Sequence, residues 1–107
     1  MLKYANFRLA GPPQQPVLSL AAVTSSSVQV TWRTGHNGGS RIQGFGLYRR
    51  REHAPWAREA LGPGSRAYVA TGLRCGASYT FYVRAVNAIG EGAPSETVTT
   101  KTIGSRE

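Results

Sequence analysis

Aspartate is absent from the 107-residue sequence, and glutamate occurs only five times. The glutamates are scattered, so the sequence offers no paired carboxylates for acid/base catalysis and no oxygen-rich loop for Ca²⁺. Metal ligands of the nitrogen and sulfur type are equally scarce, because Cys75, His36 and His53 are the only cysteine and histidines. The sequence therefore predicts no enzyme active site, no metal site and no cofactor.

A second cysteine is also lacking, so Cys75 has no partner for a disulfide within the chain. The fold must then be held by packing, which is compatible with a reducing compartment and with secretion. Because it lies close to the predicted approach to Tyr79, we expect Cys75 to be a buried or half-buried structural thiol. The alternative is a free thiol that oxidises between molecules.

Long apolar runs are missing as well. No stretch approaches the roughly 20 apolar residues that cross a bilayer, and residues 1–11 lack the apolar centre of a signal peptide. We expect one domain over residues 12–103, preceded by a linker or appended segment at 1–11 and followed by a linker at 104–107.

Positive charge is what the sequence has in excess. Thirteen lysines and arginines, eleven of them arginine, give a formal net charge of +8 and a pI near 10.6. This excess favours anionic partners such as sulfated polysaccharide, acidic protein, nucleic acid or lipid headgroups without selecting among them. No motif predicts a specific nucleic-acid partner.

Apolar residues alternate with a period of two, which is typical of half-buried β-strands. Tyr79, Phe81, Val83 and Ala85 form the longest inward run, and Leu18 and Leu20 form a shorter one. The predicted strands are 17–23, 27–32, 42–50, 56–59, 66–70, 78–87 and 97–102, separated by turns rich in glycine, serine and proline. The sequence therefore predicts an all-β, seven-stranded antiparallel sandwich.

One strand register stays open at this stage. In strand 66–70 either Tyr68 with Ala70 or Ala67 with Val69 points inward.

Several of these residues fall into a known pattern. The chain has Trp32 at the end of the second strand, a Gly-Gly-Ser turn at 38–40, Leu73-x-x-Gly76-x-x-Tyr79, and Ala85-x-Asn87-x-x-Gly90-x-Gly92. Over residues 13–102 it thus resembles a fibronectin type III domain, an immunoglobulin-like sandwich. The resemblance implies that Trp32 packs between the sheets and that the Tyr79 hydroxyl bonds to upstream backbone. It also implies core positions for Leu73, Phe81 and Val83.

A finer resemblance concerns the larger proteins that carry such domains. The Cys75-Gly76 pair and the Gly-Gly-Ser turn are similar to type III domains of the Down syndrome cell adhesion molecules and their relatives. Giant muscle proteins of the titin type carry similar turns, so both classes stay open. The integrin-binding tripeptide Arg-Gly-Asp of some family members is absent, because the sequence has no aspartate.

Arg49 departs from the family pattern, which often has an inward aromatic residue at this position of the third strand. Either the strand turns outward early, or Arg49 lays its methylenes along the edge of the core and extends its guanidinium to water.

Two candidate binding sites emerge. The first is the basic run of Arg49, Arg50 and Arg51 with the nearby Arg58, which predicts an anion site. The alternative is a solvated strand edge, because adjacent residues on a strand alternate between its faces.

The second site consists of outward residues on the third and sixth strands: Tyr48, Arg50, Tyr82 and Arg84, with Lys101 extending the row. Tyrosine beside arginine predicts a flat, partly apolar, cationic protein-binding surface. The alternative is an ordinary exposed sheet face with favourable cross-strand pairs.

The resemblance implies a noncatalytic adhesion and interaction module in the extracellular part of a membrane protein. Such a module acts as a spacer and contacts protein partners, either copies of itself or neighbouring domains. Two alternatives stay open: a module that binds heparin-like polyanions, and a type III domain of an intracellular muscle scaffold.

Overall fold

The computed structural model describes residues 9–104, and these form seven β-strands. The predicted linkers at 1–11 and 104–107 lie largely outside this range, since residues 1–8 and 105–107 are not described. The strands are β1 (Val17–Val23), β2 (Val28–Arg33), β3 (Gly44–Arg51), β4 (Ala57–Leu61), β5 (Ala67–Ala70), β6 (Ser78–Val86) and β7 (Val98–Lys101). The described residues include no helix long and apolar enough to span a membrane.

The strands form two antiparallel sheets, one with the order β1-β2-β5 and the other with the order β4-β3-β6-β7. The all-β sandwich class is confirmed. Each predicted strand overlaps an observed one, with boundaries that differ by up to two residues. The fourth strand, predicted at 56–59, runs from Ala57 to Leu61.

The core lies between the sheets and follows the period of two. On β6 every second residue from Tyr79 to Ala85 is buried, while the residues between them are half-exposed. Trp32 is 3% exposed, and its ring centroid lies 5.6 Å from that of Phe45. Leu73 is half-buried and packs against this cluster. The buried apolar residues are Val28, Val30, Trp32, Phe45, Leu47, Ala70, Ala77, Tyr79, Phe81, Val83 and Ala85.

Tyr79 occupies the corner position that the resemblance implies. The backbone amide of Arg74 donates a hydrogen bond of 2.9 Å to its hydroxyl, and only 7% of the residue is exposed. The aromatic ring therefore fills the end of the core while the hydroxyl satisfies an upstream backbone donor.

The structure settles which side chains of β5 and β1 point toward the core. The register left open on β5 is resolved, because Ala70 is buried and Tyr68 packs against the core, whereas Val69 is exposed. Leu20 is more exposed than expected: its register partner is the buried Val30, so it points to the core side, but it lies on the edge strand β1 and is 43% exposed.

The expected burial of Cys75 is also wrong, because this residue is exposed. It lies in the turn before β6, next to Arg74, whose backbone amide bonds to the Tyr79 hydroxyl.

The chain before β1 is fastened to the loops at one end of the sandwich. Asn87, which is buried, donates hydrogen bonds of 2.8 Å from Nδ2 to the carbonyls of Gly11 and Asn37. Its Oδ1 accepts bonds from the amides of Ile89 and Gly90. One side chain thus joins the N-terminal segment, the β2–β3 loop and the β6–β7 loop, which positions Glu91 beside the sheet.

Candidate functional site

The most distinctive surface of the molecule is the face of the β4-β3-β6-β7 sheet that points away from the core. We call it the outer face. Tyr48 of β3 is paired in register with Arg58 of β4 and with Tyr82 of β6, so the three side chains lie in one row across the sheet. This register brings the predicted pair Tyr48 and Tyr82 together.

Five side chains stack on the outer face, and we call this set the aromatic ladder: Arg58, Tyr48, Tyr82, Trp56 and Arg50. The Tyr48 and Tyr82 rings are 4.5 Å apart and nearly parallel, with an interplanar angle of 7°. Trp56 meets Tyr82 edge-on at 4.9 Å. The Arg50 guanidinium lies 4.5 Å from the Trp56 ring, and that of Arg58 lies 5.6 Å from the Tyr48 ring. The ladder therefore has a cation at each end, stacked on an aromatic face.

Glu91 anchors one end of the ladder from the β6–β7 loop. The Tyr48 hydroxyl lies 2.8 Å from both of its carboxylate oxygens and donates its single proton to them as one bifurcated hydrogen bond. Arg58 Nη2 lies 2.6 Å from Oε2, and Arg84 Nη1 lies 3.5 Å from Oε1. The loop is thereby bonded to strands β3, β4 and β6 at a single carboxylate.

The electrostatics follow from these contacts. Burial raises the pKa of Glu91. This effect is outweighed by the hydrogen bonds from Tyr48 and Arg58 and by the charges of Arg58 and Arg84, so the pKa is below its usual range. The hydrogen bond to Glu91 raises the pKa of Arg58. Burial, followed by the nearby Tyr48, raises the pKa of Tyr82. At neutral pH the Glu91 carboxylate is ionised and Tyr82 is neutral.

A glycine on β3 makes room for this arrangement. Gly46 lies next to Tyr48 on the outer face, two residues along the strand. A Cβ atom at Gly46 would lie 2.7 Å from Arg58 Nη2 and 2.8 Å from its Nε. The missing side chain is what lets Arg58 lie across β3 and reach Glu91.

A shallow depression adjoins the ladder beyond Arg58. It has a volume of about 240 Å³. Gly44 and Ala60, which have little or no side chain, lie at its floor together with Val86 of β6. The outer face thus combines stacked aromatic rings, fixed cations and a small apolar recess.

The structure separates the predicted basic run into two groups. Arg50 and Arg58 belong to the aromatic ladder, and Arg84 is joined to it through Glu91. Arg49 and Arg51 alternate with Arg50 and are paired in register with the inward residues Phe81 and Tyr79. The three consecutive arginines therefore do not form one continuous site.

The structure excludes the first expectation for Arg49, an early outward turn of the strand, and meets the second only in part. Strand β3 continues to Arg51, so Arg49 stays on the core side, at the edge of the sandwich. It is half-exposed overall, yet its Nη1 is buried and has no hydrogen-bond partner among the described residues.

Lys101 shares the outer face but does not extend the aromatic row. It is paired with Ser78 on β6. The hydroxyls of Thr80 and Thr99, which bond to each other at 3.0 Å, occupy the position between it and the tyrosines.

Sequence reasoning missed two members of this surface, Trp56 and Glu91. Trp56 precedes β4 and is 38% exposed. Its aromatic side chain close to the basic third strand is the sequence feature that could have placed it in this surface. Glu91 is separated by 33 residues from Arg58 and by 43 from Tyr48, and no local pattern links residues so far apart.

The outer face has the composition of a protein-contact surface rather than of a catalytic site. Tyrosine, tryptophan and arginine are the residues most enriched among those that dominate interface energetics. Among residues 9–104, no three histidine, cysteine or acidic side chains come together as metal ligands. Arg50 Nε is buried without a hydrogen-bond partner in the same range, so the guanidinium keeps unused donor capacity near Trp56.

Comparison with known proteins identifies the family to which the sequence and fold belong. A family model described as "Fibronectin type III domain" matches residues 11–101. The cell adhesion molecule DSCAM of Homo sapiens is 38% identical over 100 residues, which cover 92% of this chain and 5% of that protein. The cell adhesion molecule DSCAML1 of Mus musculus is 35% identical over the same share. The chain thus spans about a twentieth of the length of these relatives.

Solved structures share the fold. The FN1-FN3 domains of chicken CNTN1 match with a TM-score of 0.75 at 23% identity, covering 86% of this chain and 33% of that one. The kinase region of twitchin from C. elegans matches with a TM-score of 0.78 at 21% identity, covering 87% of this chain and 17% of that one.

Proposed function

Because this chain belongs to the fibronectin type III family and is similar to segments of cell adhesion molecules, we propose that it is a noncatalytic adhesion and interaction module. It acts as a spacer and protein-binding domain in the extracellular part of a multidomain cell-surface protein. Its partners are proteins, either a second copy of the same protein or a neighbouring domain. Membership of the family and the similarity to segments of cell adhesion molecules support this assignment.

The aromatic ladder is the single observation that carries the binding role. Its rings are held by the sheet and by Glu91, so they lose little side-chain freedom when a partner covers them. Trp56 is 38% exposed and Arg50 is half-exposed, and stacking on Trp56 keeps the Arg50 charge in place. An ordered, partly apolar surface of this kind is suited to the centre of a protein interface.

The spacer role is supported by the anchoring of the N-terminal segment. The amide of Gly11 donates to the carbonyl of Gly38, and the amide of Ala93 donates to that of Pro13. Together with Asn87, these bonds hold the chain that would connect to a preceding domain. Because this segment is bonded to the sandwich, it restricts the orientation of a domain that is joined through it.

The experiment is an adhesion assay with the full-length protein that contains this domain, expressed on suspended cells. We expect Arg50→Glu with Trp56→Ser to reduce aggregation several-fold, because both changes remove contact groups from the outer face. The matched control is Arg33→Glu with Val69→Ser, which changes the net charge by the same amount and also removes an exposed apolar side chain, on the other sheet. Equal loss in both variants, at equal surface expression, would contradict the proposal.

Polyanion binding is a second candidate, favoured by the net charge of +8 and by Arg50, Arg58 and Arg84 on one sheet face. We expect Arg50→Glu with Arg84→Glu to lower the salt concentration that elutes the domain from immobilised heparin. The control, Arg33→Glu with Arg41→Glu, has the same net charge. If both variants elute together, the interaction is bulk electrostatics and not a site.

A further inference from the structure

A cavity separate from the outer face lies at the end of β3, on the core side of the sheet. Its volume is about 210 Å³. Arginines 49–51 contribute to its wall, and Pro55, Leu73 and Tyr79 provide apolar surface. Among the described residues, no carboxylate lines this cavity.

Arg49 is one of the residues that line this cavity. Its guanidinium carries a positive charge. The Nη1 atom is inaccessible to solvent and has no hydrogen-bond partner within residues 9–104, whereas the residue as a whole is half-exposed. A ligand in the cavity therefore contacts the accessible part of Arg49 and not Nη1.

Glu59 of the neighbouring strand β4 is engaged elsewhere. Its carboxylate accepts a hydrogen bond of 3.0 Å from the Tyr68 hydroxyl, which ties β4 to β5. A separate recess of about 50 Å³ is lined by both Glu59 and Arg49, and no ion pair within 4.0 Å joins them. The positive charge at the larger cavity is therefore not neutralised by direct pairing within the described chain.

Arg51 adds a second cation on the same side of the strand. Residues two apart on a strand face the same way and lie about 7 Å apart. Arg50 between them points to the outer face and stacks on Trp56. Arg49 and Arg51 thus both line the cavity, next to the apolar surface of Leu73 and Tyr79.

We propose that this cavity binds the carboxylate of an acidic side chain, most simply a glutamate, from a protein partner. Arg49 and Arg51 bind the carboxylate oxygens, and Pro55 and Leu73 contact the methylenes that carry it. A sulfated polysaccharide fits less well, because it needs a line of exposed cations, and here the cations alternate between two sides of a strand. This site is independent of the aromatic ladder and does not depend on the function proposed above.

The test is an NMR titration of the isolated domain with N-acetylglutamate α-amide, which carries one side-chain carboxylate. N-acetylglutamine α-amide is the neutral control ligand, and sodium chloride is used to match ionic strength. We expect saturable shifts of the Nε–H signals of Arg49 and Arg51 and of the Leu73 amide, with a dissociation constant in the millimolar range. The glutamine analogue should cause no such shifts.

Two variants assign the site. Arg49→Gln should weaken binding by about tenfold or more, because it removes the charge that meets the carboxylate. Arg33→Gln, with the same change of net charge at an exposed position, should leave binding unchanged. Arg51→Gln provides a second test in case Arg49→Gln does not fold.

Several results would overturn the proposal. Shifts that rise linearly without saturation, or equal weakening by the Arg33 and Arg49 variants, would reduce the effect to general charge. A heparin tetrasaccharide that saturates the same signals where the glutamate derivative does not would assign the cavity to sulfated sugar instead.

Discussion

Glu91 holds a position that few acidic residues of this chain could hold, since it receives hydrogen bonds from three strands at once. Two of its partners, Tyr48 and Arg58, are members of the aromatic ladder. Because the side chain is largely shielded, these bonds should stabilise the fold as well as order the surface. The contribution is limited by solvent, since the Arg58 side chain is 40% exposed.

Replacing the carboxylate tests this assignment. We expect Glu91→Gln to lower the free energy of unfolding at pH 7 by about 0.5–1.5 kcal/mol, as expected for charged hydrogen bonds that are partly exposed. Urea denaturation measures the change. The control, Glu96→Gln, alters an exposed glutamate that makes no ion pair among the described residues. An equal effect of both variants would show that Glu91 has no special role.

The pH dependence of this contribution has a defined sign. The pKa of Glu91 is below its usual range in the folded protein, so the stabilisation is present above the unfolded pKa of about 4.3. It is lost as the pH falls through the lower, folded pKa. The difference in unfolding free energy between the wild-type protein and Glu91→Gln should therefore shrink in urea denaturations near pH 2–3.

Tyr79 provides a second prediction for a single residue. Tyr79→Phe keeps the ring in the core but removes the acceptor for the Arg74 amide, so we expect a loss of about 1 kcal/mol in unfolding free energy. Tyr82→Phe is the matched control, because no hydrogen bond of its hydroxyl is found among the described residues. If both variants unfold at the same urea concentration as the wild-type protein, the corner bond contributes nothing measurable.

Among the structural elements, the β6–β7 loop is the one that joins separate parts of the molecule. Its Glu91 reaches the outer face, and its Ala93 binds the N-terminal segment at Pro13. A Cβ atom at Gly92 would lie 2.8 Å from the Pro13 carbonyl carbon and closer still to its oxygen. The segment before β1 therefore packs against the loop backbone without space for a side chain.

We expect Gly92→Ala to cost about 1–3 kcal/mol in unfolding free energy, because the methyl group displaces backbone that cannot rotate away. Faster hydrogen exchange of the Gly11 amide should accompany this loss, since the N-terminal segment would be released. Gly64→Ala is the matched control, as nothing lies within 4 Å of its added methyl group. Unchanged exchange at Gly11 in the Gly92 variant would contradict the packing described here.

The sequence predicted best which side of a strand faces the core. Strand β6 has one face in the core, so the apolar residues from Tyr79 to Ala85 alternate with more polar ones. The strand limits follow no such rule, because those of the edge strand β1 were predicted without error, whereas those of the central strand β3 and the edge strand β4 were displaced by one to two residues. The alternation also predicted the side to which Leu20 points but not its 43% exposure, which depends on the position of β1 at the edge of the sheet.

The candidate site was predicted in part for a similar reason. Tyr48 and Tyr82 follow from strand alternation and from the order of strands that the family resemblance implies. Trp56 lies in the turn before β4, and Glu91 comes from a loop, so neither has a periodic position. Their contacts depend on how the chain closes in three dimensions.

At the scale of the whole molecule, the two sheets differ in chemistry. The four-stranded sheet has the aromatic ladder and its arginines, whereas the outward surface of β1-β2-β5 has Arg33 beside uncharged residues such as Ser19, Thr31 and Val69. With a net charge of +8, approach of a partner is governed by the charged sheet, and acidic surfaces are favoured. The proposed contact therefore uses one sheet and leaves the other as a control surface.

The measurement that tests this claim most directly is hydroxyl-radical footprinting of the full-length protein on cells in adhesive contact and on the same cells kept apart. Oxidation of Trp56 and Tyr82 should fall on contact, while oxidation of Leu20 and Val69, exposed on the opposite sheet, should stay the same. Buried Trp32 serves as the internal reference for an intact fold. Unchanged labelling of Trp56 on contact, or protection confined to Leu20 and Val69, would contradict the account.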